Sequence, residues 1–436
     1  MNTSLTLGAG LGVIAWLTVI GCGHKAGPAP TGSTSAAPGI SSLPIESAAP
    51  FGAGSAAAPA LSAPAVAFDP GPAAALVSEF AGARSNKLCR AQTGEIAVYQ
   101  QEGLLSLGAH KGGVGASWLV HLAGARREEQ IAFSSFDLEA KQAARPRGVG
   151  LAGQGTSRIF GSGPGFTVTW FDSKGLAYAR PRTEPLPAPE IGHLSMFGPE
   201  VAGDVALSST AAGSVVAAAP YGAEKNQLGL FQFSPAEAGA PPVTALGVTH
   251  HTLAPSRPAV AAGVEATFVA WFEADGRILA SRFDSKGKET DAACLVAPAS
   301  AEKREHLTLA AIGAGAVAMW MEGALIRTRA LDGSGCPTSP AWKVGEGRWA
   351  TMAALDDAPV VAWLANDGRV LAAKLGPNAA PPPKGLDIAE GSAGIKDPPA
   401  LAVAAGRVAF GWAEPMSPVV STRRLVLRLV DAACLP

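Results

Sequence analysis

Arg257 to Pro298 reads RPAVAAGVEATFVAWFEADGRILASRFDSKGKETDAACLVAP, and this stretch decides the fold. It divides into four short apolar runs, Ala259 to Ala262, Thr267 to Phe272, Arg277 to Phe283 and Ala293 to Val296, parted by clusters of Gly, Asp and Ser. Such runs are too short for amphipathic helices, and they carry the β-branched and aromatic side chains of strands. The Asp275-Gly276 step, matched by Asp367-Gly368, predicts tight hairpins, because glycine accepts the positive φ that other residues resist.

The unit recurs along the chain. Trp118, Trp170, Trp271, Trp320, Trp363 and Trp412 each end or sit within an apolar run, at spacings of 52, 101, 49, 43 and 49 residues. The double gap holds a degenerate copy, Ser214 to Pro235, with Ala219 or Pro220 where the tryptophan would stand. Seven copies of four antiparallel strands resemble the blades of a β-propeller, each burying its faces against two neighbours. The expected fold class is therefore all-β: a seven-bladed β-propeller with four-stranded blades over residues 86–436, preceded by a signal peptide and a disordered linker. In this reading the six tryptophans are structural and fill the gaps between blades. The resemblance is one of architecture, since the signatures of WD40, kelch and sialidase repeats are absent, so it implies no ligand.

The N-terminus reads as an address. Residues 3–23 carry no charge, and Leu5 to Ile20 form an apolar stretch suited to a secretory signal peptide. It ends in Val19, Ile20, Gly21, Cys22, which resembles the bacterial lipobox. The resemblance implies a signal peptide over residues 1–21 and a palmitate-type lipid on Cys22. Gly23 follows where inner-membrane lipoproteins often carry Asp, which favours the outer membrane, its periplasmic or surface face left open. Residues 22–85 are rich in Ala, Pro, Gly and Ser, and between Gly27 and Phe68 only Glu46 is charged. That composition buries no core and reads as a disordered tether.

Lys plus Arg (34) nearly balance Asp plus Glu (35), so no strong field would draw nucleic acid, and none is expected as a partner. The expected partners are the membrane, through the N-terminal lipid, and either another envelope protein or a glycan, with the chain itself a monomer.

A search for chemistry finds turns more often than sites. No GxSxG, HExxH or CxxC string occurs, and Gly161 to Gly165 reads as a hairpin loop. Asp172 and Asp284 open identical DSKG strings and Asp332 opens DGSG, each read as a turn in which Asp caps its own backbone. His110, His121, His193 and His306 are isolated in sequence, and His250 with His251 would point to opposite faces of an extended segment. A basic residue recurs at Arg180, Arg282, Arg329, Lys374 and Arg428, either as an anion-binding ring or as separate blade contacts, the second being preferred. No catalytic residue, metal or cofactor is expected.

Four cysteines besides Cys22 suit disulfides in an oxidising compartment. The string Asp-Ala-Ala-Cys ends at Cys294 and again at Cys434, two residues before the last residue, so the final blade has little chain left for an outer strand. Cys89 and the run Glu95 to Tyr99 are expected to complete or flank that blade. Cys89 would then lie near Cys434 and leave Cys294 with Cys336, one of three possible connectivities.

Two functions remain. The leading one is a membrane-anchored lipoprotein presenting a non-catalytic binding or scaffolding propeller; the alternative is a hydrolase or lyase acting on extracytoplasmic sugars or peptides. The ring axis discriminates them: small side chains such as Ala259, Ala261 and Ala353 favour binding, and converging carboxylates, His or Arg favour catalysis.

Overall fold

The computed structural model describes residues 76–81, 88–98, 105–121, 129–162, 165–181, 189–221, 226–235, 243–249, 255–290, 292–356, 358–389, 395, 397–415 and 423–436. All belong to the compact unit Ala63–Pro436. The signal peptide, Cys22, His250 and His251 lie outside the described residues.

Seven antiparallel sheets follow one another along the chain. The first strands of the blades are Ser106–His110, Gln154–Ser162, Ala206–Ser209, Ser256–Ala262, Arg304–Ile312, Trp349–Leu355 and Ala400–Ala404. Each touches the first strand of the next blade, and the seventh touches the first, so the blades close into a ring around an axis. Blade 4 has its four strands at Ser256–Ala262, Ala266–Phe272, Ile278–Asp284 and Cys294–Ala297, within three residues of the expected runs. Gly276 and Gly368 hold φ of +80° and +86°, as the hairpin reading requires.

The six repeat tryptophans are at most 3 % exposed. Trp170 of blade 2 shows how they act. Its indole nitrogen donates to the carbonyl of Leu151 at 2.9 Å, and its ring lies against Gly150, both on the outermost strand of blade 1. In the third blade Ala219 stands at the tryptophan position and pairs with Gly229. The vacated space goes to Phe231, whose ring meets Phe197 edge-on at 5.3 Å.

A second regularity accompanies the tryptophans. An acid follows two residues later at Asp172, Glu273, Glu322 and Glu414. The indoles of Trp271 and Trp412 donate to Glu273 and Glu414 at 2.8 and 2.6 Å. Glu322 instead takes Arg304 at 2.7 Å and Arg327 at 3.2 Å.

The seventh blade differs from the expected four strands. Its order is Leu76–Ala81, Leu88–Val98, Arg423–Asp431, Arg407–Pro415, Ala400–Ala404, five strands in all. Leu88–Val98 takes the fourth place, with Glu95 opposite Val426. The fifth strand, Leu76–Ala81, falls within the segment read as linker, where LVSEFA interrupts the Ala/Pro/Gly composition with apolar residues able to pair. Cys294 and Cys336 are joined by a disulfide, Cα atoms 5.1 Å apart, bridging the outer parts of blades 4 and 5.

Candidate functional site

The first strands converge on a central cavity of about 500 Å³ to which all seven blades contribute. Strand register defines a level within it. Ser106, Arg158, Ala206, Ala259, Thr308, Thr351 and Ala400 each pair with the residue just before their blade's tryptophan position. Equivalent positions in a closed ring lie at one height, so these seven side chains form one circle. Six of them are small, and Arg158 alone is long and charged.

Arg158 stands exposed to the lumen, and desolvation by the channel wall lowers its pKa. It remains a cation, because a guanidinium stays protonated in proteins. Among the described residues no side chain pairs with it, and no carboxylate lines the cavity. Its neighbours offer hydroxyls. Ser106 Oγ accepts from the backbone N–H of Ile159 at 3.2 Å, and Ser208 Oγ accepts from that of Ala262 at 3.2 Å, leaving each hydroxyl its own proton to donate.

At one mouth stand His306 and Trp349, ring centroids 4.4 Å apart and nearly perpendicular. His306 is half-buried and occupies a bulge with φ of +54°, a left-handed conformation rare for a non-glycine residue. Arg257 occupies the matching bulge of blade 4 with φ of +45°. Burial lowers the pKa of His306; Glu305 opposes this, while Arg257 and Lys303 reinforce it. Glu305 in turn accepts from Lys303 at 2.6 Å, which holds its carboxyl below the usual range. The mouth thus presents a neutral imidazole, a partly exposed indole and a small charge network.

The residues singled out from sequence resolve differently. Ala259 and Ala353 do line the cavity, although Ala259 is buried with Ala261 in the joint between blades 4 and 5. Arg329 and Arg428 form no ring at the axis. They clamp neighbouring blades, donating to the carbonyls of Val296 and Ile388 respectively. Asp284 and Asp332 hold their turns by accepting backbone N–H groups at 2.8 to 2.9 Å, which lowers both pKa values; for Asp332 the Ser334 hydroxyl is the largest cause. Ser162 accepts from Thr167 beside its hairpin, and His193 pairs with Asp172 at 2.7 Å, both away from the cavity. Among the described residues no group of three potential metal ligands gathers.

Arg158 and Trp349 were not legible as site residues. A signal for Arg158 exists: it stands twelve residues before Trp170, as Ser106, Ala259, Thr308, Thr351 and Ala400 stand before theirs.

No protein-family model matches the chain, and no curated protein matches it in sequence. Solved structures do. A lectin of Burkholderia pseudomallei is 13 % identical over 77 % of this chain and 97 % of its own, with a TM-score of 0.47. The polysaccharide lyase Uly1 is 9 % identical over 76 % and 90 %, at 0.43, and the Dos1 propeller 10 % over 77 % and 94 %, also at 0.43. At such values the likeness says nothing of ligand or reaction, and the ring of seven blades stands on this chain's own strand pairing.

Proposed function

We propose that this chain is an envelope lipoprotein whose propeller binds a ligand in its central channel without transforming it. The observation that carries the reading is the channel itself: seven first strands wall it with alanines, serines, threonines and larger apolar residues around one guanidinium. A wall of that kind offers shape, hydroxyls and a fixed charge. Arg158 holds its proton too tightly to trade it in a reaction.

The lipobox at Cys22 and the Ala/Pro/Gly/Ser-rich segment after it place the ring, in this reading, at the end of a membrane tether, the outer membrane being the proposed site. Fatty-acid labelling tests that part: Cys22→Ser abolishes incorporation if the assignment holds. An envelope glycan is the proposed partner, because the wall supplies hydroxyls for polar recognition and Trp349 an indole for stacking.

One observation favours the hydrolase or lyase alternative, namely the neutral His306 in strained backbone at the mouth, where such outliers often accompany function. The full-length protein incubated with envelope polysaccharides and peptides separates the two. Retention of a glycan with no new reducing end, unsaturated sugar or amine supports the binding module. Product that disappears in His306→Ala establishes the enzyme instead.

A further inference from the structure

We infer that the channel recognises a carboxylate-bearing sugar, a hexuronate, with its carboxylate on Arg158 and its ring against Trp349; the inference rests on the channel-binding reading above. Arg158 stands exposed to the lumen, and among the described lining residues no carboxylate accompanies it. Arg304 meets Glu322, Arg329 meets the carbonyls of Ser339 and Val296, and Arg428 meets that of Ile388. None of these three lines the channel, so Arg158 is the guanidinium that a ligand entering it would meet.

Three features select the anion. One guanidinium balances one negative charge, and a carboxylate fits its fork with two parallel hydrogen bonds. A phosphate dianion would leave a net negative charge in a cavity where, among the described lining residues, the only other titratable group is His306, whose pKa burial lowers. The Ser106 hydroxyl, at the Arg158 level in the adjoining blade, adds a donor that suits a sugar oxygen.

Trp349 selects the ring. It lies two residues before Thr351, which shares the Arg158 level, so the indole stands roughly 7 Å further along its strand. Blade 6 faces blade 2 across the axis. A sugar ring can therefore rest near the mouth while its carboxylate reaches inward, and Ala259, Ala353 and Ala400 leave the space.

The experiment uses the full-length protein and three hexuronates, galacturonate, glucuronate and mannuronate, as disaccharides, each paired with its methyl ester. Calorimetric titration should show one acid binding at least tenfold tighter than its ester. Arg158→Ala should remove that tenfold advantage and leave the ester's affinity unchanged, and Trp349→Ala should weaken acid and ester alike. A second measurement guards against misfolding: Arg158→Ala should melt close to the wild-type temperature without ligand, since the side chain is exposed to the lumen and pairs with no described residue. A lower melting temperature would reveal a structural partner for Arg158 and overturn the inference. So would equal binding of acid and ester, which nonetheless leaves the channel-binding reading intact if Trp349→Ala abolishes both. Failure of all six sugars to bind also overturns it, and the glycan-retention assay above then judges the broader reading independently.

Discussion

The imidazole of His306 meets the indole of Trp349 across the joint between blades 5 and 6, centroids 4.4 Å apart and planes 67° to one another. The contact keeps His306 away from water, and burial lowers its pKa below the ordinary 6.5. The unfolded chain therefore takes up a proton at this residue before the folded one does. Stability is fully present above about pH 6.5 and falls as the pH drops below that value, until the folded imidazole protonates too. His306→Asn tolerates the left-handed backbone and removes the titration. Urea midpoints measured from pH 7.5 to 5 should fall less steeply in this variant than in wild type; parallel curves would refute the assignment.

Gly150 tests the packing role of the tryptophans. A Cβ there would stand 2.2 Å from the Trp170 ring carbon Cζ2, and the indole cannot retreat without losing its hydrogen bond to Leu151. Gly150→Ala should cost about 1–3 kcal/mol, the usual range for overpacking a tight interior. The double variant Gly150→Ala, Trp170→Phe should regain part of that loss, as the smaller ring makes room. Chemical denaturation of the four proteins gives the coupling, and simple additivity would argue against contact.

How far the sequence spoke depended on whether a feature was local. Blade 4 was legible because its turns are: Asp275-Gly276 sets the hairpin by its own backbone preference, and the strand runs follow. Ala219 hid the third blade because Phe231, on the neighbouring strand, took over the missing indole's volume, an exchange visible only across a strand pair. The anion-ring alternative for the recurrent arginines failed for the same reason. Arg329 and Arg428 reach sideways to another blade's carbonyls, and a repeat alignment gives spacing but no direction. Arg158 and Trp349 lie in blades four apart, and only closure of the ring brings both to one channel.

Closure itself supplies the last prediction. Leu88–Val98 pairs along Arg423–Asp431 from Ala91 opposite Val430 to Val98 opposite Arg423, so an early segment forms the fourth strand of the last blade. Thr93 in that strand is buried, which shows it seated and not merely alongside. Cys434, in the turn just after Arg423–Asp431, is disulfide-bonded. Cys294 and Cys336 are bonded to each other, so Cys22 and Cys89 are the candidates for its partner. We assign Cys89. It lies two residues before Ala91, on the side where the opposing strand runs from Val430 toward Cys434, whereas Cys22 is proposed to carry lipid. A covalent bond at this joint would stop the ring from opening where its two ends meet, and loop-entropy estimates put its worth at roughly 3 to 5 kcal/mol. Peptide mapping without reductant should recover Cys89 linked to Cys434 beside Cys294 linked to Cys336. Cys89→Ser should lower the unfolding midpoint and leave a thiol at Cys434 that alkylates as the ring opens. A free Cys89 in the folded, oxidised protein would remove the covalent clasp and leave strand pairing alone to close the propeller.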